Sequence, residues 1–158
     1  MPTIPKHGRT EAVTSASPED VWRVLADPAR LGEWSHETSG GEWLDGATAP
    51  VTGARFRARN RSGPWKWSRT SEVVTAEEPR TLAWRTIPTR AYRDSTLWRI
   101  ELEPVDAGTR IVQTFDVVDV NAVRDRFLWL IVKAHRDRSG ALESDIERLG
   151  RVAADRSV

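Results

Sequence analysis

A chain of 158 residues with 39% hydrophobic and 30% charged side chains can bury a sizeable core and is too apolar to stay unfolded. Its 24 basic and 23 acidic residues leave a formal charge of +1, so no overall field draws in nucleic acid or an anionic membrane. Cysteine is absent, which excludes disulfides, thiolate chemistry and Cys-based zinc or iron–sulfur sites.

Residues 1–8 read as a flexible tail, and Met1–Lys6 has no apolar core of a secretion signal. No apolar run approaches the ~18–20 residues that span a bilayer. The expectation is one cytoplasmic domain over 1–158, without membrane insertion. Arg9–Ser15 alternates β-branched and polar residues like a strand. Ser17-Pro18-Glu19-Asp20 then sets a helix start: a hydroxyl cap, a proline suited to the first turn, and two acids at the positive end of the dipole. Asp27-Pro28 repeats the device, so the first helix stops near Ala26 and a second short one runs Pro28–Gly32.

From Gly41 to Val118 the punctuation is that of antiparallel strands: Ala54–Arg61, Trp65–Glu77, Thr81–Ile87, Ser95–Val105 and Thr109–Val118. From Asn121 onward there is no proline, and apolar residues recur at helical spacing through Leu149, with a kink expected near Ser139-Gly140. A strand, two short helices, a run of hairpin strands and a closing amphipathic helix make an α+β plan. The economical solution is a strongly curved antiparallel sheet wrapped around the long C-terminal helix.

Strand parity separates two faces. One carries Phe56, Asn60, Trp67, Arg69, Ser71, Trp84, Trp98, Gln113 and Phe115; the other carries Arg55, Arg57, Arg59, Lys66, Arg85, Arg99, Glu101, Arg110 and Asp116. The aromatic face suits the wall of an apolar cavity, with Asn60 and Gln113 as polar anchors. The Arg-rich face, with acids interleaved, reads as a solvated sheet surface rather than a nucleic-acid track. Arg69 has two readings: buried against a cavity, or turned outward at a bulge.

Catalytic residues are sparse. His36 stands where a short helix hands over to the sheet, with Glu37 and Glu42 as candidate partners for proton transfer. Tyr92, in the loop after Pro88, is a second candidate at the cavity mouth. Three scattered His give no metal-ligand spacing, and Ser39-Gly40-Gly41 lacks the context of a phosphate loop, so no metal and no cofactor are expected.

Ser17–Pro28, Leu31-Gly32-Glu33-Trp34-Ser35, Gly53-Ala54-Arg55-Phe56, Asn60-Arg61, Trp67, Leu82-Ala83-Trp84, Trp98 and Gly108-Thr109-Arg110 together resemble the SRPBCC superfamily, in its polyketide cyclase/dehydrase-like subset. The superfamily also takes in START-type lipid carriers and birch-pollen-allergen-like proteins. The resemblance spans about Arg9 to Leu149 and implies a helix-grip fold; Val118–His135 is its least typical part. It does not choose among carriers, cyclases and regulators. The expected function is binding of a lipid- or polyketide-like small molecule between sheet and terminal helix, by a monomer or homodimer. A cyclase/dehydrase-type enzyme and a stress-related regulatory or protein-interaction module are the alternatives.

Overall fold

In a computed structural model the described residues are 7–91, 93–119 and 139–155; Tyr92, Trp129 and His135 lie outside them. The chain runs β1 (His7–Thr14), α1 (Pro18–Leu25), a 3-10 turn (Pro28–Arg30), α2 (Leu31–Trp34), β2 (Thr38–Trp43), β3 (Arg55–Ser62), β4 (Trp65–Glu77), β5 (Thr81–Thr86), β6 (Ser95–Val105), β7 (Gly108–Asp119) and α3 (Ser139–Asp155). β1 starts two residues before the strand pattern read from Arg9. Of the terminal helix expected from Asn121, the part over Ser139–Asp155 is helix; its first part, 121–138, and most of the atypical 118–135 stretch fall outside the described residues, which resume at the expected kink site Ser139-Gly140.

All seven strands form one antiparallel sheet in the order β1-β7-β6-β5-β4-β3-β2. Hairpin strands pair with their chain neighbours, but β1 and β2 lie at opposite edges. The segment between them must therefore cross the sheet, and its caps set how it does so. Ser17 Oγ accepts from the Asp20 N–H (3.2 Å), Pro18 opens α1, and Val21, Trp22, Val24 and Leu25 turn inward. Asp27 caps the next turn through the Ala29 N–H (3.0 Å), so the chain bends and buries Leu31 and Trp34.

Gly41 lets this crossing lie close to β2. A Cβ at Gly41 would sit 2.7 Å from the Arg57 carbonyl oxygen and 3.0 Å from that of Pro28, both backbone. At the other edge, α3 lies over β1, α1 and α2. Leu142, Ile146, Leu149 and Ala153 supply its buried stripe, and Thr14 Oγ1 donates to the Gly150 carbonyl (2.7 Å). The main core is thus the concave face closed by α1, α2 and α3, with Val21, Val24, Ile100, Ile111, Ile146 and Leu149 essentially inaccessible.

β4 contains a bulge between Val73 and Thr75. The extra residue moves the inward position from the Val73 parity to Ala76, which pairs with Leu82 and packs on the core. Arg69 precedes the bulge and keeps its inward parity, so the outward reading is the one the strand geometry removes.

Candidate functional site

Register aligns the inward residues into rows. One row runs Gly8, Phe115, Trp98, Trp84, Val73; the next runs Thr10, Gln113, Ile100, Leu82, Ala76. Towards the β3–β4 hairpin come Ala58 opposite Arg69, then Asn60 between Thr38 and Trp67. Phe56, Gln113 and Phe115 are buried, while Asn60, Trp67, Trp84 and Trp98 are half-buried.

The aromatic residues form two groups. Trp98 and Phe115 meet at 5.4 Å between ring centroids in a tilted pair. Phe56 meets Trp84 at 6.3 Å and Trp43 at 5.8 Å, both edge-on. Such pairs contribute about 0.5–1.5 kcal/mol each beyond their burial. The Phe115 ring also fills the space above Gly8, where an added Cβ would lie 2.5 Å from its edge carbon. Trp43, which no pattern placed, belongs to the second group. Trp34, on α2, is 3% exposed and packs in the core.

A notch of about 20 Å³ lies where the second aromatic group meets the helical crossing, lined chiefly by Leu25, Pro28, Leu31, Phe56, Val73 and Trp84. It is apolar and has room for about one water, so it is a packing gap rather than a ligand chamber.

Polar groups on the concave face divide by whether they have partners. Thr38 Oγ1 donates to Asn60 Oδ1 (2.9 Å), tying β2 to β3. Arg69 reaches Asp94 through Nη1 (3.3 Å to Oδ2) and Nη2 (3.0 Å to its carbonyl), which pins the β5–β6 loop to β4. Gln113 Oε1 and Thr10 Oγ1 are different. They belong to directly opposed residues, both are sealed from solvent, and neither has a hydrogen-bond partner among the described residues. An unmet buried polar atom costs about 1–3 kcal/mol.

His36 is held by a residue no sequence pattern paired with it. Its Nδ1 lies 2.6 Å from Asp145 Oδ2, and its backbone N–H donates to Asp145 Oδ1 (2.9 Å). With the proton of this hydrogen bond on Nδ1, the neutral ring has Nε2 as its basic nitrogen. Asp145 is 3% exposed on α3, whereas the imidazole is about one-third exposed. Of the two acids read as candidate partners, Glu42 faces Arg57 (3.7 Å) and Arg59 (3.9 Å) on the outer surface, and no ion pair of Glu37 occurs among the described residues. One signal did mark Asp145: it interrupts the apolar stripe Leu142–Ile146–Leu149. Among the described residues no group of three or more His, Asp or Glu is placed to hold a metal ion.

On the convex face Arg55 and Arg85 both bond Glu72 (3.1 and 3.3 Å), Arg99 bonds Glu101 (3.0 Å) and Arg110 bonds Glu103 (3.3 Å). The hydrogen bond from Arg55, then that from Arg85, holds the Glu72 carboxyl below its usual range. No helix of the described residues is long and apolar enough to cross a membrane.

A curved antiparallel sheet, two short helices after its first strand and a C-terminal helix closing it define a helix-grip protein of the SRPBCC superfamily. The chain belongs to the family described as polyketide cyclase / dehydrase and lipid transport, whose model matches residues 7–153. Among solved structures it is similar to protein MLL2253 from Mesorhizobium loti, with 21% identity, a TM-score of 0.66, and 96% of this chain and 98% of that one covered. It is similar also to Ara h 8.0201 (10% identity, TM-score 0.66, covering 94% and 97%). DynU16, from the dynemicin biosynthetic locus, matches at 15% identity and a TM-score of 0.60, over 95% of this chain and 48% of its own. At these identities the likeness is one of fold. No curated protein matches the sequence.

Proposed function

We propose that the chain binds a hydrophobic or aromatic small molecule, lipid-like or polyketide-like, on the concave face between the sheet and the C-terminal helix. Phe56, Trp67, Trp84, Trp98 and Phe115 supply apolar and aromatic wall, and Asn60 and Gln113 supply polar anchors. The observation that carries this reading is the orphaned pair Gln113 Oε1 and Thr10 Oγ1, sealed from solvent one strand from Ile100 and one row from Trp98 and Phe115. A core without a guest gains nothing from such a pair; a guest with a hydroxyl or amide donor satisfies it. The family description, with its lipid transport and polyketide chemistry, points the same way. Native mass spectrometry of freshly purified protein tests it. The expected result is a retained small molecule that Trp98→Ala releases; a bare mass, with no quenching of tryptophan fluorescence by aromatic polyketides or fatty acids, overturns it.

The His36–Asp145 pair supports a second reading, a cyclase- or dehydratase-type enzyme acting on that guest. Asp145 would orient the imidazole and His36 Nε2 would take or return a proton, with Tyr92 as the further candidate. A positioned acid or base contributes about 10²–10⁴-fold in rate. His36→Ala should then abolish turnover of a bound polyketide-like substrate while leaving its affinity intact; unchanged turnover removes His36 from the chemistry.

A further inference from the structure

The two edges of the sheet differ in how they are closed to further pairing. β2 has a register shift between Thr38 and Gly40, two glycines at its centre, and the helical crossing against it. The approach is close: a Cβ at Gly32 of α2 would lie 2.5 Å from the Ser39 carbonyl oxygen. β1 has none of these protections. It runs from His7 to Thr14 in unbroken register with β7, without proline or bulge. Among the described residues β1 pairs with no other strand, and no backbone hydrogen bond from a turn or loop reaches 7–13. α3 lies over β1 and is bonded to it at Thr14, yet His7, Arg9, Glu11 and Val13 are exposed on the convex face, Val13 at 57%. A regular open edge is a template for one more strand.

The charges on β1 say which strand fits. A second copy of β1, laid antiparallel about a twofold axis, continues the sheet with convex face beside convex face. Side chains directly opposite one another then share a face, so the axis passes through a residue position and not between two. Two such registers give the longest overlap. Centred on Thr10, residues 7–13 of the two copies pair, with Arg9 of each opposite Glu11 of the other and His7 opposite Val13. Centred on Glu11, residues 8–14 pair, and two carboxylates oppose each other while Arg9 meets Val13. A shift the other way, to Arg9, sets two guanidiniums face to face. Opposite charges directly across a strand pair stabilise it and like charges destabilise it. Only the Thr10 register is therefore complementary, and it lies between two that repel. In it each Arg9, already 2.9 Å from its own Glu11, gains a second carboxylate, and the four charges alternate around the axis.

We infer that β1 is a homodimer seam, formed by antiparallel pairing of two copies centred on Thr10. The backbone ladder supplies the attraction, and the exposed ion pairs, individually weak, select the register. Thr10 also lies opposite Gln113, so the axis passes beside the proposed guest. The seam itself needs no guest, and the inference is independent of the ligand-binding reading.

Sedimentation equilibrium of the full chain over a wide range of concentrations, without ligand, tests it. The native chain should form dimers and nothing larger, because a twofold seam is used up when two copies meet. Arg9→Glu and Glu11→Arg should each weaken the dimer about tenfold or more, since both opposed pairs become like-charged. Each single variant should melt close to the native chain, because both side chains are exposed. Combining the two, Arg9→Glu with Glu11→Arg, should restore the dimer to native strength, a recovery that a misfolded variant does not make. A monomer at every concentration, association beyond two copies, full-strength dimers from both single variants, or a combined variant that stays monomeric would each overturn the proposal.

Discussion

Asp145 and Glu72 are both paired carboxylates, yet their surroundings give them different energetics. Asp145 sits among Leu142, Ile146 and Leu149 and takes both donors of His36, so it closes the α2–β2 corner onto α3. Asp145→Ala leaves a partly buried backbone N–H and an imidazole without their acceptor. The expected cost is about 1–3 kcal/mol, read from urea denaturation. Glu72, on the convex face, has its carboxyl held below the usual range by Arg55 first and Arg85 second. A carboxyl with a depressed folded-state value contributes stability that is fully present above its unfolded value and lost as pH falls through the folded one. The stability difference between the native chain and Glu72→Gln should therefore be largest at neutral pH and close as the solution is acidified below the carboxylate range. Parallel denaturation curves at neutral and acid pH check this, and a constant difference would assign Glu72 a role independent of its charge.

At the scale of elements, close backbone approach does what side-chain pattern does not advertise. Gly41→Ala must push either Arg57 or Pro28 backbone aside, separating the helical crossing from β2. Overpacking of this kind costs about 1–3 kcal/mol, and thermal melts should show the loss without any charge or cap having changed. The caps were legible because they are local: Ser17-Pro18 and Asp27-Pro28 place both helix starts, and β4 and β6 have the ends read from turn residues. Alternation likewise put Phe56, Trp84, Trp98, Gln113 and Phe115 on one face. The bulge after Val73 was not legible, since Val73-Val74-Thr75-Ala76 has no glycine, Asn or Asp to mark it. Trp43 was missed because β2 is short and glycine-rich, with too little alternation to assign a face. The His36–Asp145 contact joins residues 109 apart, and only the packing of α3 on α2 brings them together.

For the whole molecule, the question is whether the concave face is optimised for stability or for a guest, and Gln113 separates the two. Its Oε1 is buried without a partner among the described residues, so in the guest-free protein the amide is a liability of the kind tolerated at sites that serve function. Gln113→Leu keeps roughly the same volume beside Ile100 and removes the unmet acceptor. The variant should be more stable than the native chain by about 1 kcal/mol. For a chain of this size that is a rise of about 2–4 °C in melting temperature. The same substitution deletes the group proposed to receive a donor from the guest. A saturating ligand stabilises the native chain by an amount set by its affinity, about 2.7 kcal/mol at a hundredfold excess over Kd. Gln113→Leu should shrink that ligand-induced shift even as it raises the starting point. Opposite signs for the two effects, measured in one set of melts with and without an aromatic polyketide or fatty acid, mark a residue retained for binding. If the variant melts lower than the native chain, Gln113 is a structural residue and the polar anchor of the site lies elsewhere on the concave face.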